Sequence, residues 1–128
     1  LSLFRSRGGK LLMYFGWADT ALTPYMAVDY YEKALATNGP DTEEFFRFFT
    51  VPGMFHCRGG VRPGRLDAMT AVIDWVERGV TPVSLPASRA EDGKVVRTRP
   101  LCPYPQVARY AGSGSIDEAA SFTCTEPR

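Results

Sequence analysis

The sequence predicts an α/β fold with parallel strands, and three features carry that expectation. Short apolar runs alternate with segments of helical period, glycine or proline marks the boundaries between them, and the order reads strand, helix, strand, helix. That order is a βαβ unit followed by a helix, whose crossover implies parallel strands with the helices packed outside them.

The first strand is the run Leu11 to Phe15, which is continuous and apolar between Gly9 and Gly16. A parallel strand buried on both faces reads this way. Gly16 to Leu22 forms a loop. Thr23 then serves as an expected N-cap and Pro24 suits the first helical position. Apolar residues follow at helical spacing, Met26, Tyr30 and Ala34 on one row and Ala27, Tyr31 and Leu35 on the next, until Asn38-Gly39-Pro40 ends the helix.

A second, aromatic-rich strand is expected over Phe45 to Val51, closed by Pro52-Gly53. The loop from Gly53 to Gly64 is rich in glycine and holds the lone histidine, His56, beside Cys57. A second helix is expected from about Arg65 to Arg78, with Leu66, Met69, Val72, Ile73 and Val76 on its buried side and Gly79 as its cap. These 81 residues form the expected βαβα portion, and residues 82–128 are expected to be a tail of the same domain. Prolines 82, 86, 100, 103, 105 and 127 and glycines 93, 112 and 114 fill that tail, so it reads as an irregular stretch of extended segments and turns. Cys102 and Cys124 lie there as an expected staple. Cys57 is then left over, as a buried free thiol or as one that pairs outside the chain.

Composition excludes several classes. With 45% hydrophobic and 23% charged residues the chain reads as soluble and globular. A net charge of +1, with basic and acidic residues interspersed, gives no electrostatic footprint for nucleic acid. No apolar run approaches the roughly 20 residues needed to span a bilayer. Leu1 to Lys10 lacks the apolar core of a signal peptide, and the chain does not begin with Met, so it is expected to start after processing or inside a longer protein. One histidine without Cys-x-x-Cys or paired-histidine spacing supports no metal site.

Two residues stand where chemistry is expected. Asp19 follows the first strand and His56 the second, and in an open parallel sheet such loops emerge on one edge. An aspartate on one imidazole nitrogen fixes the tautomer and leaves the other nitrogen free to take a serine proton. Other readings stand beside this one. A lone histidine in a glycine-rich loop is more often a surface residue than a catalyst, and Ala18-Asp19-Thr20 also reads as an ordinary Asx turn. No Gly-x-Ser-x-Gly elbow occurs in the chain; Gly112-Ser-Gly-Ser115 is its nearest imitation, but it follows the histidine.

Gly9-Lys-Leu-Leu-Met-Tyr-Phe-Gly-Trp-Ala-Asp19 resembles the acid-bearing strand and loop of the tannase and feruloyl esterase family. Val51-Pro-Gly-Met-Phe-His-Cys57 is similar to that family's His-Cys motif. Arg97-Thr-Arg-Pro-Leu-Cys-Pro-Tyr-Pro-Gln-Val-Ala-Arg-Tyr110, with Gly112-Ser-Gly and Ser121-Phe-Thr-Cys124, resembles its ending. The resemblance implies the C-terminal part of an α/β-hydrolase fold with a disulfide-stapled tail, Cys102 to Cys124. It implies Asp19 as the triad acid, His56 as the base, and a nucleophilic serine and a lid domain earlier in a longer protein. It further implies that Cys57 bonds a cysteine outside this chain, beside that serine. Phe55 would stand near the substrate, although it and Thr20 to Leu22 occupy variable positions that do not identify it. No cofactor is implied within this chain, and calcium is implied only for the lid. The implied reaction is hydrolysis of aromatic esters of the feruloyl or galloyl type, in a secreted or periplasmic protein.

Two rival expectations remain at this level. The chain is a subunit or fragment that completes a site with a separate N-terminal chain, or it is a stand-alone binding domain.

Overall fold

The computed structural model describes residues 1–127. A short helix, α1 (Ser2–Ser6), precedes β1 (Leu11–Gly16), α2 (Tyr25–Asn38), a 3-10 turn (Pro40–Glu44) and β2 (Phe46–Val51). Then come β3 (Arg65–Leu66), α3 (Ala68–Arg78), β4 (Leu85–Glu91), β5 (Lys94–Leu101), β6 (Val107–Tyr110), a 3-10 turn (Ala119–Ser121) and β7 (Phe122–Thr125). The sequence reading contains neither α1 nor β3.

Strands β1 and β2 pair in parallel, with Leu11 opposite Phe46 and Gly16 opposite Val51. This register ends both strands at the same level, so the loops that follow leave side by side. Alternation assigns the two faces. Leu11, Met13, Phe15, Phe46 and Phe48 face α2, which adds Ala27, Tyr31 and Ala34. Tyr31 meets Phe46 edge-on at 4.9 Å and Tyr104 edge-on at 6.0 Å, contacts worth about 0.5–1.5 kcal/mol each beyond the area they bury. The opposite face, with Leu12, Phe49 and Val51, packs against Leu66, Ala71, Leu85, Ala87 and Leu101.

Helix α2 starts one residue later than its pattern suggests. Pro24 occupies the N-cap, and Thr23 contributes its carbonyl to Met26 N–H at 3.1 Å rather than its hydroxyl. Gly39, at φ 78°, ends the helix with its N–H on Leu35 O. Helix α3 is shorter than expected because Asp67 takes the cap position, accepting from Thr70 N–H at 2.9 Å, while Arg65 and Leu66 pair with Ser88 and Ala87. Of its apolar residues only Trp75 is buried. Met69, Ile73 and Val76 are exposed, against expectation, because among the described residues nothing packs over them. Val72 joins Leu12, Tyr14 and Leu66 in lining an open groove between β1 and α3.

The tail is not irregular. It holds a hairpin of β4 and β5, joined to β3, and a second pair, β6 with β7. Asp92 and Gly93 both have positive φ, 49° and 78°, as a two-residue turn of the hairpin type requires. Prolines shorten strands but do not forbid them, and Pro86 and Pro100 stand opposite one another within the hairpin. Cys102 and Cys124 are disulfide-bonded, which ties the end of β5 to β7.

Candidate active site

Asp19 is delivered by a turn that β2's loop holds in place. Trp17 N–H donates to Val51 O at 2.9 Å and Ala18 N–H to Met54 O at 3.1 Å. Between strand and turn, Gly16 passes so close that an added Cβ would lie 2.5 Å from Met54 O and 2.7 Å from Phe55 O. Only glycine allows the Asp19 loop to lie flat against the His56 loop.

The His56 loop is closed upon itself. Met54 bridges Gly60, and a Cβ on Gly60 would lie 1.9 Å from Gly53 O. Met54, buried, anchors this loop in the core. At the tip, Arg58 N–H donates to His56 O at 2.7 Å across Cys57, whose φ is 61°. A non-glycine residue in that region is strained, and such strain gathers where side-chain aim matters. The three-residue turn thus presents His56 and Cys57 outward.

The two side chains meet: His56 Nδ1 lies 2.8 Å from Asp19 Oδ2. The Asp19 side chain is 4% exposed and that of His56 is 51% exposed. The other carboxylate oxygen, Oδ1, accepts from Ala21 N–H at 2.8 Å and Leu22 N–H at 3.1 Å. The Asx turn and the partnership with histidine are therefore not alternatives, since each uses one oxygen. Burial pushes the Asp19 carboxyl up. The hydrogen bonds from His56, Leu22 and Ala21, and the charge interaction with His56, outweigh it and hold the group below its usual value. An anion so held orients the ring by accepting the Nδ1 proton, which leaves Nε2 as a base open to solvent.

Phe55, next to His56 in the chain, is exposed, and Trp17, Leu22 and Tyr25 are exposed as well, with Trp17 edge-on to Tyr25 at 5.7 Å. Cys57 is a free, exposed thiol rather than a buried one. Ser113 and Ser115 are exposed in the connection between β6 and β7. Among the described residues only Asp19 hydrogen-bonds the His56 ring, and no cluster of three or more His, Cys, Asp or Glu residues could hold a metal ion. No helix among them is long and apolar enough to cross a membrane. The positioning parts absent from the sequence reading are Gly16 and the Ala21 and Leu22 amides. The signal for them was the glycine between a strand and an Asx-type turn.

A family model described as tannase and feruloyl esterase matches residues 1–125. A mono(2-hydroxyethyl) terephthalate hydrolase of Piscinibacter sakaiensis is 46% identical across 99% of this chain, which covers 21% of that protein. A feruloyl esterase B of Aspergillus niger is 30% identical, across 97% of this chain and 27% of its own length. Among solved structures, an esterase from Aspergillus oryzae superposes with a TM-score of 0.91 at 30% identity, over 97% of this chain and 29% of that one. The chain thus spans about a fifth to a quarter of the curated relatives' length.

Proposed function

The chain belongs to the tannase and feruloyl esterase family, and from that membership we propose that it is the acid-and-base portion of a serine carboxylic-ester hydrolase. The observation that carries the reading is the 2.8 Å contact between Asp19 Oδ2 and His56 Nδ1. Its fold would be the C-terminal part of an α/β-hydrolase. The side of β1 away from β2, and the bare face of α3, would then turn toward the larger portion that carries the nucleophile and the lid. The parallel register and the two loops at one sheet edge support that placement.

In the cycle, Asp19 stays ionised and holds the His56 ring through Nδ1. Nε2 takes the proton of the serine hydroxyl as its oxygen attacks the ester carbonyl. The imidazolium then gives that proton to the departing alkoxide, leaving an acyl-enzyme and a free alcohol. Water enters, Nε2 takes its proton, and the carboxylic acid leaves as the serine recovers its hydrogen. The exposed aromatic side chains Trp17, Tyr25 and Phe55, on or next to the two loops that carry Asp19 and His56, suit an aromatic acyl group, of feruloyl or galloyl type or like the terephthalate named for the Piscinibacter relative. Cys57, an exposed thiol next to His56, would bond a cysteine near that serine in this reading. No cofactor enters this cycle; calcium belongs to the lid in this reading. The disulfide and the fungal esterase relatives favour a secreted or periplasmic setting.

The test is hydrolysis of methyl ferulate, methyl gallate and mono(2-hydroxyethyl) terephthalate by the longer protein that carries this chain. Saturable turnover of at least one is expected. His56→Ala and Asp19→Asn should each lower kcat on the order of 10⁴-fold with little change in KM. The 128 residues alone should show no turnover. Activity that survives His56→Ala would remove the assignment.

A further inference from the structure

A cavity of about 270 Å³ lies at the root of the His56 loop and shares no residue with the Asp19–His56 pair. Thr50 and Pro52, from the end of β2, and residues of β5, β6 and β7 enclose it. Three arginines line it. Arg62 comes from the end of the base loop, while Arg97 and Arg99 lie two apart on β5 and so share a face.

Among the described residues one carboxylate answers these three cations: Arg97 Nε donates to Asp117 Oδ1 at 2.5 Å. Arg99 has neutral partners instead. Its Nη1 donates to Thr98 O at 2.7 Å and its guanidinium stacks over the Phe122 ring at 4.0 Å. Among the described residues, Arg62 and Arg99 take part in no ion pair. Burial, and then repulsion from Arg97 and Arg62, lower the Arg99 pKa, and Asp117 offsets only part of this. Such a group gains most from an added anion.

Most of the remaining lining is apolar, with Leu101, Val107 and Phe122 as walls and Pro52, Pro63 and Pro100 beside them, while Thr50 and Gln106 add two polar side chains. Proline fixes backbone φ and stacking fixes the guanidinium plane, so little order is lost on binding. Apolar walls with a few convergent donors are the usual make-up of a small-ligand site. We propose that this cavity binds a small organic carboxylate, its carboxyl group on Arg62 and Arg99 and its aromatic or aliphatic body against Phe122 and Val107. Inorganic phosphate satisfies the arginines but leaves the walls unused, so it ranks second. The site stands on its own geometry; on the ester-hydrolase reading, its ligand class includes the acid that the reaction releases.

Calorimetric titration of the longer protein with benzoate, benzamide and inorganic phosphate tests it, on wild type, Arg62→Gln and Arg99→Gln. Glutamine keeps the Cβ, Cγ and Cδ atoms with which Arg62 covers Gly53. Benzoate should bind saturably, phosphate more weakly and benzamide not at all. Each variant should weaken benzoate by about tenfold or more, the loss of one charge-assisted contact. Where Arg99→Gln, stripped of its stacking on Phe122, fails to fold by thermal melting, Arg62→Gln decides alone. Benzoate affinity unchanged in Arg62→Gln, phosphate binding tighter than benzoate, equal binding of benzamide, or no binding would each overturn the proposal. No turnover is read, so loss of the ester reading leaves this result standing.

Discussion

Helices α2 and α3 lie on opposite faces of one parallel strand pair and meet opposite fates. Helix α2 has the weaker amphipathic pattern, yet Ala27, Tyr31 and Ala34 are buried. Helix α3 has the stronger pattern, yet only Trp75 is buried, under Lys10, whose Nζ sits 5.2 Å above the indole. Met69, Ile73 and Val76 remain 67%, 43% and 60% exposed. Amphipathicity states what a face requires; a partner must still be present to supply it. For α2 the partner is close in sequence, the aromatic strand β2. For α3, on the reading proposed above, it is the larger portion of the hydrolase.

The largest expected effect lies on the satisfied side. Tyr31 is 1% exposed, so Tyr31→Ala should cost about 3–5 kcal/mol in denaturant unfolding. A loss below about 1 kcal/mol would mean that α2 is not the anchored helix. The next effect separates the two helices by context. Ile73→Ser should change the stability of the 128-residue chain alone by less than about 0.5 kcal/mol. The same change in the longer protein should cost about 1.5–3 kcal/mol, the value of burying one such side chain. Equal costs in both settings would break the comparison.

The smallest effect concerns how the helices begin. Helix α2 has no side-chain cap, whereas Asp67 caps α3 through Thr70 N–H and the Thr70 hydroxyl. These bonds, the backbone one first, lower the Asp67 pKa. A carboxyl lowered in the folded state stabilises fully above its unfolded value of about 3.9 and loses this as pH falls through the folded one. Acid titration below about pH 4 should therefore loosen the first turn of α3 before that of α2 in hydrogen exchange. Asp67→Ala should abolish the difference.

The order of elements was legible because the apolar run before Gly16 and the aromatic run before Pro52 are short and sharply bounded. Bringing Asp19 and His56 to one edge then follows from parallel pairing alone. Less legible was whatever depends on backbone meeting backbone. Neither the Gly53–Gly60 approach nor the turn at Cys57 leaves a side-chain pattern to read. The tail was obscured by its prolines, although Asp92-Gly93 between runs of strand-forming residues is a hairpin signal. The exposure of α3 lay beyond any local pattern, since it depends on what else the chain is packed against.

The close approach of Gly16 to the Met54 and Phe55 carbonyls also limits how the site can be evolved in the laboratory. Any other residue there must push the two loops apart and draw His56 away from Asp19. Trp17, Leu22 and Phe55, on the same two loops, are exposed, so a library confined to those three positions varies the surface while the Asp19–His56 contact stays intact. A library that also randomises position 16 loses that contact in most of its clones, and its survivors should converge on glycine.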